Sequence, residues 1–168
     1  ISQNLQQLYS NGSSFDINNN KVTITGGTGK NCGFVLDYWA NGAVMTATKN
    51  SLIRISHNEI TMSSTGGPID GISLGNTEMT LGSELSVSDN LFLMPQISGT
   101  VIGIEFKLDI TLSSGNININ SNRMIACSNA LGLGYVTSPY KFTVSSGGQF
   151  LFTRNSVERD LSCSAAGV

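Results

Sequence analysis

The chain has 168 residues, enough for one domain with a substantial core. Only 12% of them are charged, 9 basic against 11 acidic, for a net charge of −2, which excludes the basic stripe that a nucleic-acid surface needs. Gly, Ser, Thr and Asn make up 73 residues, a composition compatible with disorder, but the 39% of hydrophobic residues recur in strict order and override that reading.

Taken in chain order, the first readable segment is Leu5-Gln-Gln-Leu-Tyr9, which could cap a stack as a short helical turn. Its Leu8-Tyr9 also reads as the last strand of a preceding unit. Asn11-Gly-Ser13 follows, an N-glycosylation sequon in a turn. Then comes Phe15-Asp-Ile-Asn-Asn-Asn-Lys-Val22, and the rest of the chain repeats it: Ile53–Ile60, Leu85–Phe92, Ile117–Met124 and Phe150–Val157 share an apolar-x-apolar-x-x-Asn-x-apolar pattern. The asparagines fall at Asn20, Asn58, Asn90, Asn122 and Asn155, spaced 38, 32, 32 and 33 residues apart. A fixed period in this range means stacked units.

The pattern has a physical reading. Two apolar residues flanking one polar residue share a strand face, because side chains alternate with period two. Asparagine suits the corner that follows, since it tolerates the left-handed backbone region and bonds to nearby backbone. One asparagine per period at the same corner predicts a ladder of amides running along the stack.

Each period continues with a glycine that opens a second apolar stretch, Gly33-Phe-Val-Leu36, Gly71-Ile-Ser-Leu74 and Gly103-Ile-Glu-Phe106, with Gly132-Leu-Gly-Tyr135 as a shifted fourth version. A third alternating run comes next: Ala43-Val-Met45, Met79-Thr-Leu81, Ile110-Thr-Leu112 and Phe142-Thr-Val144. No unit can bury its apolar residues alone, so neighbours must supply the core. The expected fold is all-β, a parallel and right-handed β-helix solenoid of about five rungs beginning near residues 15, 53, 85, 117 and 150. It forms a single domain over 1–168 that reads as a segment of a longer repeat protein.

Candidate site residues are few. Asp37, Asp70, Glu105 and Asp109 lie in or beside the second apolar stretch, but at offsets of 17, 12, 15 and 19 residues from their asparagines. That scatter reads as a solvated face more readily than as a converging catalytic pair, and Glu105, alternating with Ile104 and Phe106, reads as an outward-facing polar residue. Trp39, before the turn residues Ala40-Asn-Gly42, is either an exposed sugar platform or a core plug in the longest unit. Together Asp37, Trp39, Asp70 and Glu105 are the candidate carbohydrate contacts. His57 sits at a polar position of the corner and is expected in solvent.

Cys127 and Cys163 fall one layer apart and are candidates for a disulfide, with buried small hydrophobes as the alternative. Cys32 lies too far along the axis to join them. The cysteine spacing offers no zinc site, and no motif calls for a cofactor or a metal. The opening residues lack a basic region followed by an apolar one, and no apolar run reaches bilayer length.

The repeated asparagine corner resembles that of the pectin-lyase-like right-handed β-helix superfamily, in which stacked asparagines line one turn. Ser86–Phe92, Val144–Phe150 and Gly42–Met45 are similar to stretches of the dispersed gene family of trypanosomatid surface proteins. This resemblance implies an extracellular or cell-surface location and a structural or adhesive role. The acidic and basic residues used by catalytic members of the superfamily have no counterparts here residue by residue. The expected function is a non-enzymatic module whose partners are further copies or repeats of itself, met through open ends of the stack, and glycans. The alternative is a carbohydrate-binding or polysaccharide-degrading β-helix.

Overall fold

Alternation of β-branched or long apolar residues with Ser, Thr and Asn favours short strands with one buried face, and many of the strands stop where the next residue enters the left-handed region, as at Asn19, Lys49, His57 and Leu81. The structure, a computed structural model, describes residues 8–36, 44–64, 67–97, 101–126, 131–136 and 141–159. Its first four strands are β1 (Leu8–Asn11), β2 (Ser14–Asn18), β3 (Lys21–Thr25) and β4 (Asn31–Leu36). They are followed by β5 (Val44–Thr48), β6 (Leu52–Ser56), β7 (Glu59–Ser64) and β8 (Ile69–Leu74), then by β9 (Asn76–Thr80), β10 (Glu84–Ser88), β11 (Leu91–Ile97) and β12 (Val101–Phe106). The remainder are β13 (Ile110–Ser113), β14 (Asn116–Asn120), β15 (Arg123–Ala126), β16 (Leu131–Val136), β17 (Phe142–Ser145), β18 (Gln149–Thr153) and β19 (Ser156–Arg159).

Every fourth strand pairs with the next in parallel register. Among the described residues the result is three sheets of five strands, β1-β5-β9-β13-β17, β2-β6-β10-β14-β18 and β3-β7-β11-β15-β19, and one of four, β4-β8-β12-β16. This is a parallel β-solenoid. Register places like residues over one another: Phe15, Ile53, Leu85, Ile117 and Phe150 form one column and Ile17, Ile55, Val87, Ile119 and Phe152 the next. The middle members of both columns are fully buried, and they join Ile60, Phe92 and Met124 in one continuous core.

The corner differs from expectation in one detail. The left-handed residue is the one before each ladder asparagine: Asn19, His57, Asp89, Ser121 and Arg154 have φ between 55 and 58°. The ladder asparagines themselves escape this strain and turn their amides into the stack. His57 is exposed, as its position predicts.

Of the two readings of Leu8-Tyr9, the strand is the one observed, paired with β5, and not the helical turn. One other expectation is corrected. The third run of its unit is Thr77 to Met79, both buried, whereas Leu81 lies in a turn at φ 50° and is 60% exposed. The cause is backbone bonding, since Leu81 N–H donates to Ser113 C=O and its own C=O accepts from Asn50. These bonds align the turn with Lys49-Asn50 and Ser114-Gly115 and end the strand one residue earlier.

The glycines of the second apolar stretch have a steric reason. A Cβ on Gly33 would lie 2.6 Å from the Gly71 carbonyl oxygen, and one on Gly71 would lie 2.6 Å from that of Gly103 and inside the Phe92 ring. In the fourth version the register is offset by one, with Gly132 opposite Ile102 and Gly134 opposite Ile104.

Candidate functional site

Two sets of polar side chains stand apart from the apolar core. The first is the asparagine column. Each amide oxygen accepts from the backbone N–H and from the Nδ2 of the asparagine before it, at 3.0 Å twice for Asn20 to Asn58 and at 3.1 and 2.9 Å for Asn58 to Asn90. The same pair of bonds joins Asn90 to Asn122 and Asn122 to Asn155. The second Nδ2 hydrogen goes to a backbone carbonyl of the preceding layer, Ile17, Ile55, Val87 or Ile119. Asn58, Asn90 and Asn122 are each 1% exposed, so their groups must find partners inside the protein.

The column is polar along its length. In every asparagine-to-asparagine bond the donor points toward the higher-numbered layer. At one end the Asn20 amide oxygen, and at the other the second Asn155 Nδ2 hydrogen, have no partner among the described residues. A shorter series of the same kind runs at another corner, between the β4-β8-β12-β16 sheet and the β1-β5-β9-β13-β17 sheet, where Asp109 N–H donates to Asn76 Oδ1 and Lys141 N–H to Asp109 Oδ1.

The second set is a buried ionic cluster on the β4-β8-β12 sheet. Register pairs Cys32 with Asp70 and Ser73 with Glu105, so the two carboxyls lie diagonally on neighbouring strands. Lys30, which follows the glycine-rich segment Gly26–Gly29 and directly precedes β4, reaches both: its Nζ is 2.9 Å from Asp70 Oδ2 and 3.0 Å from Glu105 Oε2. Lys107 Nζ stands further off, 3.8 Å from Asp70 Oδ2 and 3.9 Å from Glu105 Oε2. The Asp70 and Glu105 side chains are 1% and 5% exposed.

Burial sets the chemistry here. It raises the Glu105 pKa above the ordinary value, a hydrogen bond shared with Asp70 adds to this, and the Lys30 contact opposes it without prevailing. Burial also pulls Lys30 downward, but its bonds to Asp70 and Glu105 prevail and hold it above its usual range. Cys32, 3.6 Å from Asp70 Oδ2, is pushed up to about 11 by burial and by the Asp70 charge, which keeps it a thiol and an inert one. Asp70 Oδ1 is buried without a hydrogen-bond partner, an unusual state for a carboxylate oxygen.

The expectation of a solvated face is therefore corrected at Asp70 and Glu105. Glu105 does alternate away from the core residues Ile104 and Phe106, yet it is buried, with the Lys30 and Lys107 Nζ atoms 3.0 and 3.9 Å from its Oε2. Asp109 is exposed, serves the turn series and stays apart from this pair. Asp37, Trp39, Cys127 and Cys163 lie outside the described residues, whereas Asn11 is exposed at the end of β1. Sequence reasoning passed over Lys30 and Lys107. The available signal was that a chain with so few charges places Glu105, Lys107 and Asp109 within five residues.

The described ends of the solenoid differ from each other. At one, Phe142, Val144, Phe152 and Val157 are 46, 45, 48 and 44% exposed, with Phe142 set edge-on to Phe150 at 5.3 Å. At the other, a cavity of about 250 Å³ is lined by Phe15, Ile17, Phe34 and Leu36, beside Asn20. Among the described residues, no group of three or more His, Cys, Asp and Glu side chains is placed to hold a metal ion, and no helix is long and apolar enough to cross a membrane. Comparison with protein-family models, with curated proteins and with solved structures finds no match.

Proposed function

We propose that the chain is a non-enzymatic repeat module of an extracellular or cell-surface protein, structural or adhesive in role, which stacks end to end with further copies or repeats of itself. On this reading it is a right-handed solenoid of about five rungs of the pectin-lyase-like kind. The support for that kind is the repeated asparagine corner, together with the likeness of its Ser- and Gly-rich links to trypanosomatid surface proteins. The exposed Asn11 sequon fits a glycosylated, secreted chain.

The observation that carries the reading is the mismatch of the two ends. One presents a layer of half-exposed Phe and Val side chains, the other an apolar cavity. An unpaired layer of parallel strands templates further pairing, and a head-to-tail contact propagates when it does not close into a ring. Such a contact continues the amide column, because Asn155 Nδ2 retains a hydrogen to donate where Asn20 Oδ1 of a second copy retains an acceptor.

The polysaccharide alternative asks for two accessible acids. Asp70 and Glu105 are close together but buried, with a lysine over them, which does not favour it. Sedimentation across micromolar concentrations tests the assembly: the expected result is a concentration-dependent series of larger species that Phe152→Asp abolishes. A single monomer at all concentrations, with the Phe150–Thr153 amides protected from exchange, would overturn the end-to-end contact. Release of reducing ends or unsaturated product from a panel of acidic and neutral polysaccharides would overturn the non-enzymatic reading.

A further inference from the structure

We propose that Lys30 and Asp70 are joined by an isopeptide bond between Nζ and Cγ, formed by the protein itself with Glu105 carrying the proton. Three observations converge on it. The nucleophile is in place, with Lys30 Nζ 2.9 Å from Asp70 Oδ2, on a lysine whose side chain is 32% exposed and which follows a glycine-rich segment, so that it has freedom to close the remaining gap. The proton carrier is in place, with Glu105 Oε2 3.0 Å from the same Nζ. The electrophile is a carboxyl 1% exposed, whose Oδ1 has no partner.

That orphaned oxygen is the most informative of the three. A buried carboxylate with an unsatisfied oxygen is costly because charge is poorly solvated there. The neutral amide that replaces it keeps a single carbonyl oxygen and no charge, so condensation relieves the site. Exclusion of water and fixed contact between the partners favour the amide over its hydrolysis, since neighbours held at contact distance react as if at very high concentration.

The chemistry balances without an external reagent. Lys30 is held as an ammonium by its two carboxyl contacts, and passing one proton directly to Asp70 gives a neutral amine and a neutral acid. The amine attacks Cγ and forms the C–N bond. Glu105 accepts a proton from the nitrogen of the tetrahedral adduct and returns it to the departing hydroxyl, which leaves as water. The proton from Nζ goes to Oδ2, the oxygen it touches, so Oδ2 is the hydroxyl that departs and Oδ1 is the oxygen kept in the amide; Lys107, 3.8 Å from Oδ2, stands on the side of the departing hydroxyl. The bond ties the segment before β4 to β8, two neighbouring layers, beside the paired positions Cys32 and Asp70.

Intact-mass spectrometry of the folded protein decides the matter. The expected mass is one water below that of the sequence, with a branched peptide joining Lys30 to Asp70 and no tryptic cleavage after Lys30. Lys30→Met and Asp70→Ala restore the full mass, while Glu105→Ala, which keeps both reacting groups, slows formation roughly 100-fold or more. A wild-type chain that is folded and of full mass overturns the proposal, and this measurement needs no variant to fold. Water loss that persists in Lys30→Met also overturns it, and would point to an imide at Asp70-Gly71. A branched peptide through Lys107 would overturn the assignment to Lys30.

Discussion

Removing one amide from the asparagine column should cost an amount set by where along the column it lies and by access to water. Asn90→Ala deprives three groups of partners: the Asn58 backbone N–H, one Asn58 Nδ2 hydrogen and the Ile55 carbonyl. Asn122 Oδ1 keeps one donor, the backbone N–H at position 90. Asn58 and Asn90 are 1% exposed, so water does not readily replace what is lost. At about 1–3 kcal/mol for each unsatisfied buried group, less what relaxation recovers, the loss is about 3–5 kcal/mol. Asn155→Ala strips the equivalent three groups, Asn122 N–H, Asn122 Nδ2 and the Ile119 carbonyl. There the half-buried corner admits water, and the loss falls to about 1–2 kcal/mol. Asn20→Ala leaves Asn58 Oδ1 still accepting from the backbone N–H at position 20, and a loss below about 1 kcal/mol follows. Urea unfolding with unchanged m-values measures all three. Equal losses, or Asn20 as the costliest site, would refute both the direction and the burial of the column.

Gly71→Ala should destabilise by about 1–3 kcal/mol, because its Cβ meets the Phe92 ring and the Gly103 carbonyl; an unchanged denaturation midpoint would show that the glycine stack has room. Leu81→Gly should stabilise by roughly 0.5–1 kcal/mol, since it relieves a left-handed leucine that is mostly in solvent, and a lowered melting temperature would mean that Leu81 is covered. Titration of the carboxyl carbons by NMR should place Glu105 above the ordinary 4.5, chiefly through burial, and Glu158 below it, chiefly through its bidentate bond to Arg123. By linkage, folding loses stability at Glu105 as pH rises from 4.5 through its raised folded-state value. At Glu158 it loses stability as pH falls from 4.5 through its lowered one. The reverse order of midpoints would contradict the burial of the ionic cluster.

The architecture was legible from residue order because its interactions repeat at one register. A ladder asparagine bonds to the asparagine one period away, and apolar residues two apart on a strand must share a face, so periodicity in the sequence and contact in space coincide. Steric need made Gly33 and Gly71 equally visible. The left-handed residue of the corner was displaced by one, since the pattern marks the polar corner but not which of its residues takes the strained backbone. The ionic cluster was hidden for a related reason. Lys30, Asp70 and Glu105 lie 10, 12 and 15 residues after their asparagines, which looks like scatter along the chain. With neighbouring strands about 4.8 Å apart, however, long side chains reach diagonally across two or three positions. Only the folded sheet brings those three offsets to one point, and only the packing above it shuts the point off from water.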